Sequence, residues 1–378
     1  MKIFVEGSNL FRRRTGIGQY TKGLLVELAR FDSNNQYTVI NIGKQQKDIP
    51  NDLPSQPLWS YKTISYLSSG ILKGLLIATG LRWPCIDSFL SEKPDIFLFP
   101  SFLRWPLKSS PKSITFFYDL SYIACPQYVT TRTRLYLSRL MPRSLALSDH
   151  IITISQYAKQ QLLEYYKVDP AKVSIISPAV EHELFCQIPA SDTLPIISKY
   201  GLSPSYILYV GTLEPRKNIV GLLNAYAQLP APIQQQHPLV LAGGKGWHDA
   251  AIYQRLKELA HLPIIRLGYV PDEELPALYN NAALFVYPSF YEGFGIPPLE
   301  AMACGVPVIT SNSTSLPEVV GDAAILIDPQ DNQQLAAAML NVLSDNVLAD
   351  QLKSRGLLQA QKFNWQQSAQ QLMALFAI

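Results

Sequence analysis

The sequence predicts an α/β protein of two domains, and three observations carry that reading. The chain has 378 residues, longer than one ordinary domain. Short apolar runs rich in β-branched and aromatic residues alternate along it with helix-period stretches, the pattern of parallel sheets with helical crossovers. The stretch from Ala282 to Thr310, AALFVYPSFYEGFGIPPLEAMACGVPVIT, compresses that pattern into one strand–loop–helix–strand unit.

Within this unit Leu284 to Tyr287 is a buried-strand run, closed by Pro288 and Ser289. A loop with Gly293 and Gly295 follows. Pro297 and Pro298 then fall where a first helical turn tolerates proline, because those amides lack an intrahelical acceptor anyway. The helix is expected over Leu299 to Ala303, stopped by Gly305-Val306-Pro307, with Val308 to Thr310 as the next strand. Two carboxylates, Glu292 and Glu300, frame the loop eight positions apart. A helix N-terminus offers free N–H groups to a phosphate or sugar oxygen. Glycines let the backbone approach a ligand, and a glutamate accepts from hydroxyls, which amides cannot do. The chemistry suggested is recognition of a polyhydroxylated, phosphorylated ligand. The alternative is a tight turn with glycines for conformation and glutamates for solubility.

Composition sets the outer limits. A hydrophobic share of 48% against 16% charged describes a globular chain with substantial cores. Cys85, Cys125, Cys186 and Cys304 are scattered without metal-ligand spacing, so reduced thiols are expected. Met1-Lys2 runs straight into IFVEG, too short for a secretion-signal core. Ile64 to Leu81 is the most apolar segment, but Lys73 interrupts it, which suits a buried or interfacial helix better than a membrane span. A cytoplasmic protein is expected, at most peripheral at the inner face of the membrane, with no nucleic-acid partner. Charge is uneven: residues 1–190 carry 22 Lys/Arg against 14 Asp/Glu, and residues 191–378 carry 10 against 15. The basic half predicts either contact with an anionic membrane surface or glycan, or a solvated face with no partner.

Taken in order, Lys2 to Glu6 is the first strand. Arg12-Arg13-Arg14 and the glycine pair Gly16 and Gly18 occupy the following loop, with a helix from about Gln19. The third glycine of a dinucleotide fingerprint is missing. Tyr37 to Ile42 is the second strand, and the stretch through Pro50, Pro54 and Pro57 reads as a surface connection. Pro94 to Phe99 and Ser113 to Tyr118 are further strands. Ligands sit at strand ends in open parallel sheets, which makes Asp119 a candidate, although a turn cap explains it too. Arg132, Arg134, Arg139 and Arg143, with Leu135, Leu140 and Leu145, predict a basic amphipathic helix. His150 to Ile154 is a strand, Ser155 the N-cap of a helix through Tyr166, and Val173 to Ser177 the last strand of this half. Glu181-His182-Glu183 has no partner cluster and reads as surface.

A linker is expected around Ile188 to Ser205. Tyr206 to Val210 opens the second domain and leads through Thr212 into Glu214-Pro215-Arg216-Lys217-Asn218, before a helix from Ile219 to Leu229. Two cations in a strand-to-helix loop suit a diphosphate; a helix dipole alone disfavours them there. Leu239 to Ala242, with Lys245 in the glycine loop behind it, and Ile264 to Leu267 are strands, and a helix starts at Asp272. Trp365 to Phe376 is the last helix.

The run E-G-F-G-x-P-x-L-E-A-M-A-x-G-x-P-V-I resembles the donor-site signature of the retaining GT-B glycosyltransferases of family four. The resemblance implies a GT-B fold, two doubly wound Rossmann-like domains facing a cleft: 1–190 on the acceptor side, 191–362 holding the donor, and 363–378 crossing back as a helix. It implies transfer of a hexose from a nucleotide diphosphate sugar to a hydroxyl of a glycan or lipid-linked acceptor, in polysaccharide biosynthesis, without metal or other cofactor. GDP-mannose is the first donor expected, with UDP- and ADP-sugars as alternatives. By the same resemblance Glu292 takes the sugar hydroxyls and Glu300 the ribose. Gly293, Phe294, Gly295 and Ile296 offer amides to sugar and diphosphate; Arg216 and Lys217 stabilise the leaving diphosphate; Gly16 and Gly18 face it. Tyr269 and Val270 meet the base through backbone. Two departures stand out: Tyr118 replaces a histidine before Asp119, and Thr212 replaces an arginine. They keep two other readings open, a nucleotide-sugar epimerase or hydrolase of this fold and a non-catalytic nucleotide-sugar-binding subunit.

Overall fold

The computed structural model describes residues 1–11, 16–43, 49–65, 75–76, 78–80 and 82–377. The arginine triplet, and most of the expected apolar helix around Lys73, lie outside them. The chain forms two units, Met1–Ala179 with Trp365–Ile378, and Val180–Asn364.

The first unit is built on seven strands: β1 (Lys2–Glu6), β2 (Gln36–Ile42), β3 (Trp59–Ile64), β4 (Ile96–Phe99), β5 (Lys112–Phe117), β6 (His150–Thr153) and β7 (Val173–Ile175). They pair in parallel in the order β3-β2-β1-β4-β5-β6-β7. Central strands such as β4, sequence IFLF, are buried throughout, as expected when helices cover both faces of a sheet. β3 is the strand absent from the sequence reading. It lies at the sheet edge with an exposed and half-exposed middle, so its sequence WSYKTI has no apolar run to mark it.

The loop expected to hold Gly16 and Gly18 is a correction. Both residues lie in the first turn of a helix, Gly16–Phe31, which starts three residues ahead of Gln19. That helix is fixed from behind by the last one. A Cβ on Gly23 would stand 2.5 Å from the Trp365 ring, whose centroid lies 5.8 Å from that of Tyr20. The helix Trp365–Ala374 is tied down further by Ser368 Oγ donating to the Ser177 carbonyl at 2.8 Å. The Ser155 hydroxyl accepts from the Ala158 amide and caps Gln156–Tyr166. The arginine helix is Thr131–Leu147, with Leu140 and Leu145 buried and all four arginines exposed. Among the described residues no helix is long and apolar enough to cross a membrane.

The unit boundary at Ala179–Val180 lies ahead of the expected 190, and the return at Asn364–Trp365 slightly beyond 362. The expected linker is also corrected: it contains a helix, Ala190–Ser198, which buries Thr193 and Ile197. Asn280 anchors its approach, its Oδ1 accepting from the Ile188 amide at 2.9 Å. The second unit holds β8 (Tyr206–Val210), β9 (Leu239–Ala242), β10 (Ile264–Gly268), β11 (Ala282–Tyr287), β12 (Val308–Ser311) and β13 (Ile325–Ile327). All pair in parallel, in the order β10-β9-β8-β11-β12-β13. Strand order reverses between β8 and β11, and a doubly wound sheet places its ligand site outside the carboxyl ends of the strands at that point.

Candidate functional site

The loops leaving β8 and β11 meet at this reversal. After β8 the chain passes Gly211 and turns through a short 3-10 segment, Pro215–Lys217. Asn218, in the left-handed region at φ +56, then caps the helix Ile219–Ala227 by accepting from the Gly221 amide. After β11 the chain runs through Phe290 to Glu292, and the Phe290 amide donates to the Arg216 carbonyl at 2.9 Å. The two loops are thereby stitched together before any charge is considered.

Four ionisable side chains fill the junction. Lys217 Nζ stands 2.6 Å from Glu292 Oε1, and Arg216 Nη1 stands 3.0 Å from Glu292 Oε2. Arg216 Nη1 also donates to the Tyr291 carbonyl at 2.6 Å, while Nη2 lies 2.7 Å from Glu214 Oε1. Lys217 donates in addition to the Tyr287 hydroxyl at 2.6 Å. Glu214 and Glu292 are buried, at 1% and 7% exposure. Burial opposes ionisation of Glu292, but Lys217 and then Arg216 outweigh it and hold its carboxyl at about 2. Lys217 is lowered from the ordinary lysine value by burial, against the attraction of Glu292. Two cations and two carboxylates make a neutral, nearly dry cluster, the condition under which charge–charge contacts are strong.

A third loop, behind β12, holds the second in place. Thr314 Oγ1 accepts from the Glu292 amide at 3.1 Å, and the Ser315 hydroxyl is shared by the carbonyls of Glu292 and Phe294. Gly295 sits at φ +123, where a Cβ would stand 2.7 Å from Leu316, so glycine is required on both grounds. Ile296–Ala303 is the helix beyond it, with both prolines in its first turn. Its Glu300 accepts from the Tyr279 hydroxyl at 2.9 Å. Burial, opposed by Tyr279 and reinforced by Asp272 and Glu181, raises the Glu300 carboxyl to about 7.

The structure therefore brings Arg216, Lys217 and Glu292 into direct contact and sets Gly293, Phe294, Gly295, Ile296 and Glu300 along the same loop and helix. Thr212 is exposed on the loop behind β8. Tyr269 is 54% exposed just past β10, beside buried Val270. Lys245, in the glycine loop behind β9, has its ammonium over the Tyr253 ring, 5.7 Å from the centroid. Asp119, Gly16 and Gly18 belong to the first unit. There Asp119 Oδ1 accepts from the Ser121 amide at 2.9 Å, the turn cap its sequence context allowed. Tyr118 is buried and donates to the Pro100 carbonyl at 3.0 Å, tying the end of β5 to the end of β4. His182 bonds the Phe363 carbonyl at 3.0 Å. Glu214 is the residue the sequence reading left unassigned. Its one signal was a carboxylate two positions before an arginine, in a loop otherwise read for its cations.

Two parallel Rossmann-like sheets, with a cationic loop and a glutamate loop at the reversal of the second, define a GT-B glycosyltransferase architecture. Comparison with known proteins gives the family. Residues 15–184 match Glycosyltransferase Family 4 and residues 195–372 match Glycosyl transferases group 1. The O-antigen chain mannosyltransferase B of Escherichia coli is 40% identical over 269 residues, covering 71% of this chain and 70% of that protein. The serotype-specific mannosyltransferase WbdA of the same organism is 40% identical over 226 residues, which is 59% of this chain but 28% of that longer protein. Among solved structures, sucrose-phosphate synthase from Thermosynechococcus elongatus matches with a TM-score of 0.78 at 22% identity, covering 100% of this chain and 98% of the other. HepE from Anabaena, in complex with UDP and glucose, matches with a TM-score of 0.73 at 18% identity, covering 100% and 99%. The chain belongs to the family-four, group 1 glycosyltransferases.

Proposed function

We propose that this glycosyltransferase moves mannose from GDP-mannose to a hydroxyl of a growing glycan or lipid-linked acceptor, with retention at the sugar carbon and without a metal ion. The observation that carries the reading is Glu292 held between Lys217 and Arg216 at the sheet reversal. That arrangement offers a carboxylate to sugar hydroxyls and positive charge to a diphosphate within one cluster. Similarity to the E. coli O-antigen mannosyltransferase supports the sugar, and the UDP and glucose bound in HepE support a nucleotide-sugar donor. UDP- and ADP-sugars are the alternative donors.

In this scheme the bond from the anomeric carbon to the β-phosphate oxygen breaks as the acceptor oxygen bonds to the same face of that carbon. The acceptor proton passes to the departing phosphate, so no protein nucleophile is needed. Preorganised cations stabilise the charge that develops on the leaving diphosphate. Glu292 orients the sugar, Glu300 the ribose, and Asp119 the acceptor hydroxyl. The test is nucleotide release measured with and without acceptor, in EDTA. Acceptor-dependent release that survives chelation is expected. Release independent of acceptor makes the protein a hydrolase, and release restored only by divalent ions removes the metal-free scheme.

We assign the first unit a peripheral contact with anionic membrane. The helix Thr131–Leu147 contains no acidic residue, exposes four arginines and leaves Leu135 62% exposed among them. Binding to vesicles of anionic lipid should fall steeply with salt, because exposed charges are screened within about 10 Å at 0.1 M. Equal binding to neutral vesicles, or none to anionic ones, removes this assignment.

A further inference from the structure

The second unit, Val180–Asn364, carries 17 Asp and Glu against 10 Lys and Arg. In such an excess of acid a cation readily finds a partner, and seven of the ten do. Lys199, Arg216, Lys217, Arg255 and Lys353 pair with carboxylates. Arg355 donates to the Asp322 carbonyl and Lys362 to Gln359 Oε1. The other three, Lys245, Lys257 and Arg266, meet neither a carboxylate nor a hydrogen-bond acceptor with their side chains among the described residues. They are not scattered. The Lys245 ammonium and the Arg266 guanidinium lie 5.7 and 5.5 Å from the centroid of one ring, that of Tyr253.

That ring lies in a groove. The helix Ala250–Glu258 turns Tyr253, Leu256 and Lys257 to one face, at i, i+3 and i+4. Beside it runs the edge strand β10, whose Ile264 and Arg266 share a face two residues apart. Leu259 and Leu262 complete a groove of about 400 Å³, within the size range of small-molecule sites. Two ordinary causes cover part of this arrangement. A cation in the last turn answers the helix dipole, which accounts for Lys257. A charge on an edge strand discourages sheet-to-sheet pairing, which accounts for Arg266. Neither brings Lys245, from a different loop, to the same ring. Like charges so placed repel each other, and an exposed cation–π contact is a weak return. An anion among the three cations removes that repulsion, and an apolar segment attached to it covers the leucines.

We propose that this groove binds an anionic amphiphile: a phosphate-headed lipid whose head lies among Lys245, Lys257 and Arg266 and whose tail covers Leu256, Leu262 and Ile264. None of Arg216, Lys217 and Glu292 lines it, and it belongs to a different unit from the arginine helix Thr131–Leu147. The proposal therefore rests on neither the donor reading nor the membrane assignment.

The experiment is calorimetry on the full chain with dodecyl phosphate below its micelle concentration. Inorganic phosphate supplies the head without the tail, and dodecyl maltoside a tail without the charge. Wild type should bind one dodecyl phosphate at least about tenfold more tightly than either control, because head and tail each contribute. Combining Lys245→Gln with Arg266→Gln should weaken that binding about tenfold or more, the loss of charged hydrogen bonds. Both side chains are exposed, so the melting temperature of the double variant should stay at the wild-type value. Arg134→Gln, on the arginine helix of the first unit, should leave the affinity unchanged. Equal affinity for inorganic phosphate reduces the groove to a patch for small anions, and equal affinity for dodecyl maltoside to an apolar patch indifferent to charge. Either result overturns the proposal. So does a wild type that does not bind dodecyl phosphate, a double variant that binds it as wild type does, or an Arg134→Gln variant that loses as much as the double variant.

Discussion

Replacing Glu292 by glutamine should cost about 3 kcal/mol of stability at neutral pH and lower transfer at least about 100-fold, yet leave binding of free nucleoside diphosphate intact or tighter. The stability term follows from its carboxyl being held at about 2, well below that of an unfolded glutamate. A depressed carboxylate stabilises the fold above the unfolded value, about 4.3, and that contribution is lost as pH falls through about 2. The deficit of Glu292→Gln should therefore be full at pH 7 and close between about pH 4 and 2, read from thermal unfolding at several pH values. The binding term has a different origin. Glu292 occupies one hydrogen of Lys217 at 2.6 Å, and the amide gives up that grip along with its charge. Free diphosphate, which carries no sugar for Glu292 to hold, loses nothing. A Gln variant that binds GDP at least tenfold more weakly would contradict the sugar-side role and leave the loop as a nucleotide clamp.

Glu300→Gln should do the opposite in stability and in nucleotide binding. Burial, with Asp272 and Glu181 nearby, raises the Glu300 carboxyl to about 7 despite the hydrogen bond from Tyr279. An acid with a raised folded value is easiest to accommodate when protonated. Its stability penalty is absent below the unfolded value, about 4.3, grows as pH rises, and is complete above about 7. Glutamine removes a penalty on the order of 3–4 kcal/mol at pH 8 and changes little at pH 4. The variant should thus melt higher than wild type in alkaline buffer. It should also bind diphosphate and intact donor about ten- to a hundredfold more weakly, because both carry the ribose. In wild type the nucleotide affinity should drop as pH falls below 7, and in the variant it should be flat. A variant that melts lower at pH 8, or binds the nucleotide unchanged, removes Glu300 from the ribose. Two carboxylates of one short motif are thus driven in opposite directions, one by adjacent cations and one by its apolar and acidic surroundings.

The parts of this fold that were legible in the sequence are those where one cause dominates. β8 and β9 begin and end where their apolar runs do, because both faces of a central parallel strand are covered. Ser155 announced its helix because a hydroxyl at that position satisfies an otherwise orphan amide. The strand–loop–helix–strand unit around Glu292 stood out because glycine and proline mark its turns. β3 and β13 were not legible: both are half-covered edge strands, β3 without an apolar run and β13 only three residues long. The helix Ala190–Ser198 was hidden by Pro195 and by the polar residues of its first turn. Glu214 could not be read at all as part of the cluster. Its position depends on Arg216 reaching Glu292 across 76 residues, a contact that no local pattern records.

The order in which the units can be completed follows from the notch at Gly23. Trp365 fills it, and Trp365 comes after the whole of the second unit in the chain. During synthesis the second unit emerges as one continuous stretch and can close on itself, whereas the earlier half of the first must wait for an indole translated nearly two hundred residues later. Until that ring arrives, the faces of Tyr20 and the helix Gly16–Phe31 that it covers stay wet. The nascent chain can thus finish its second unit before its first, and apolar surface of the first stays open in the interval.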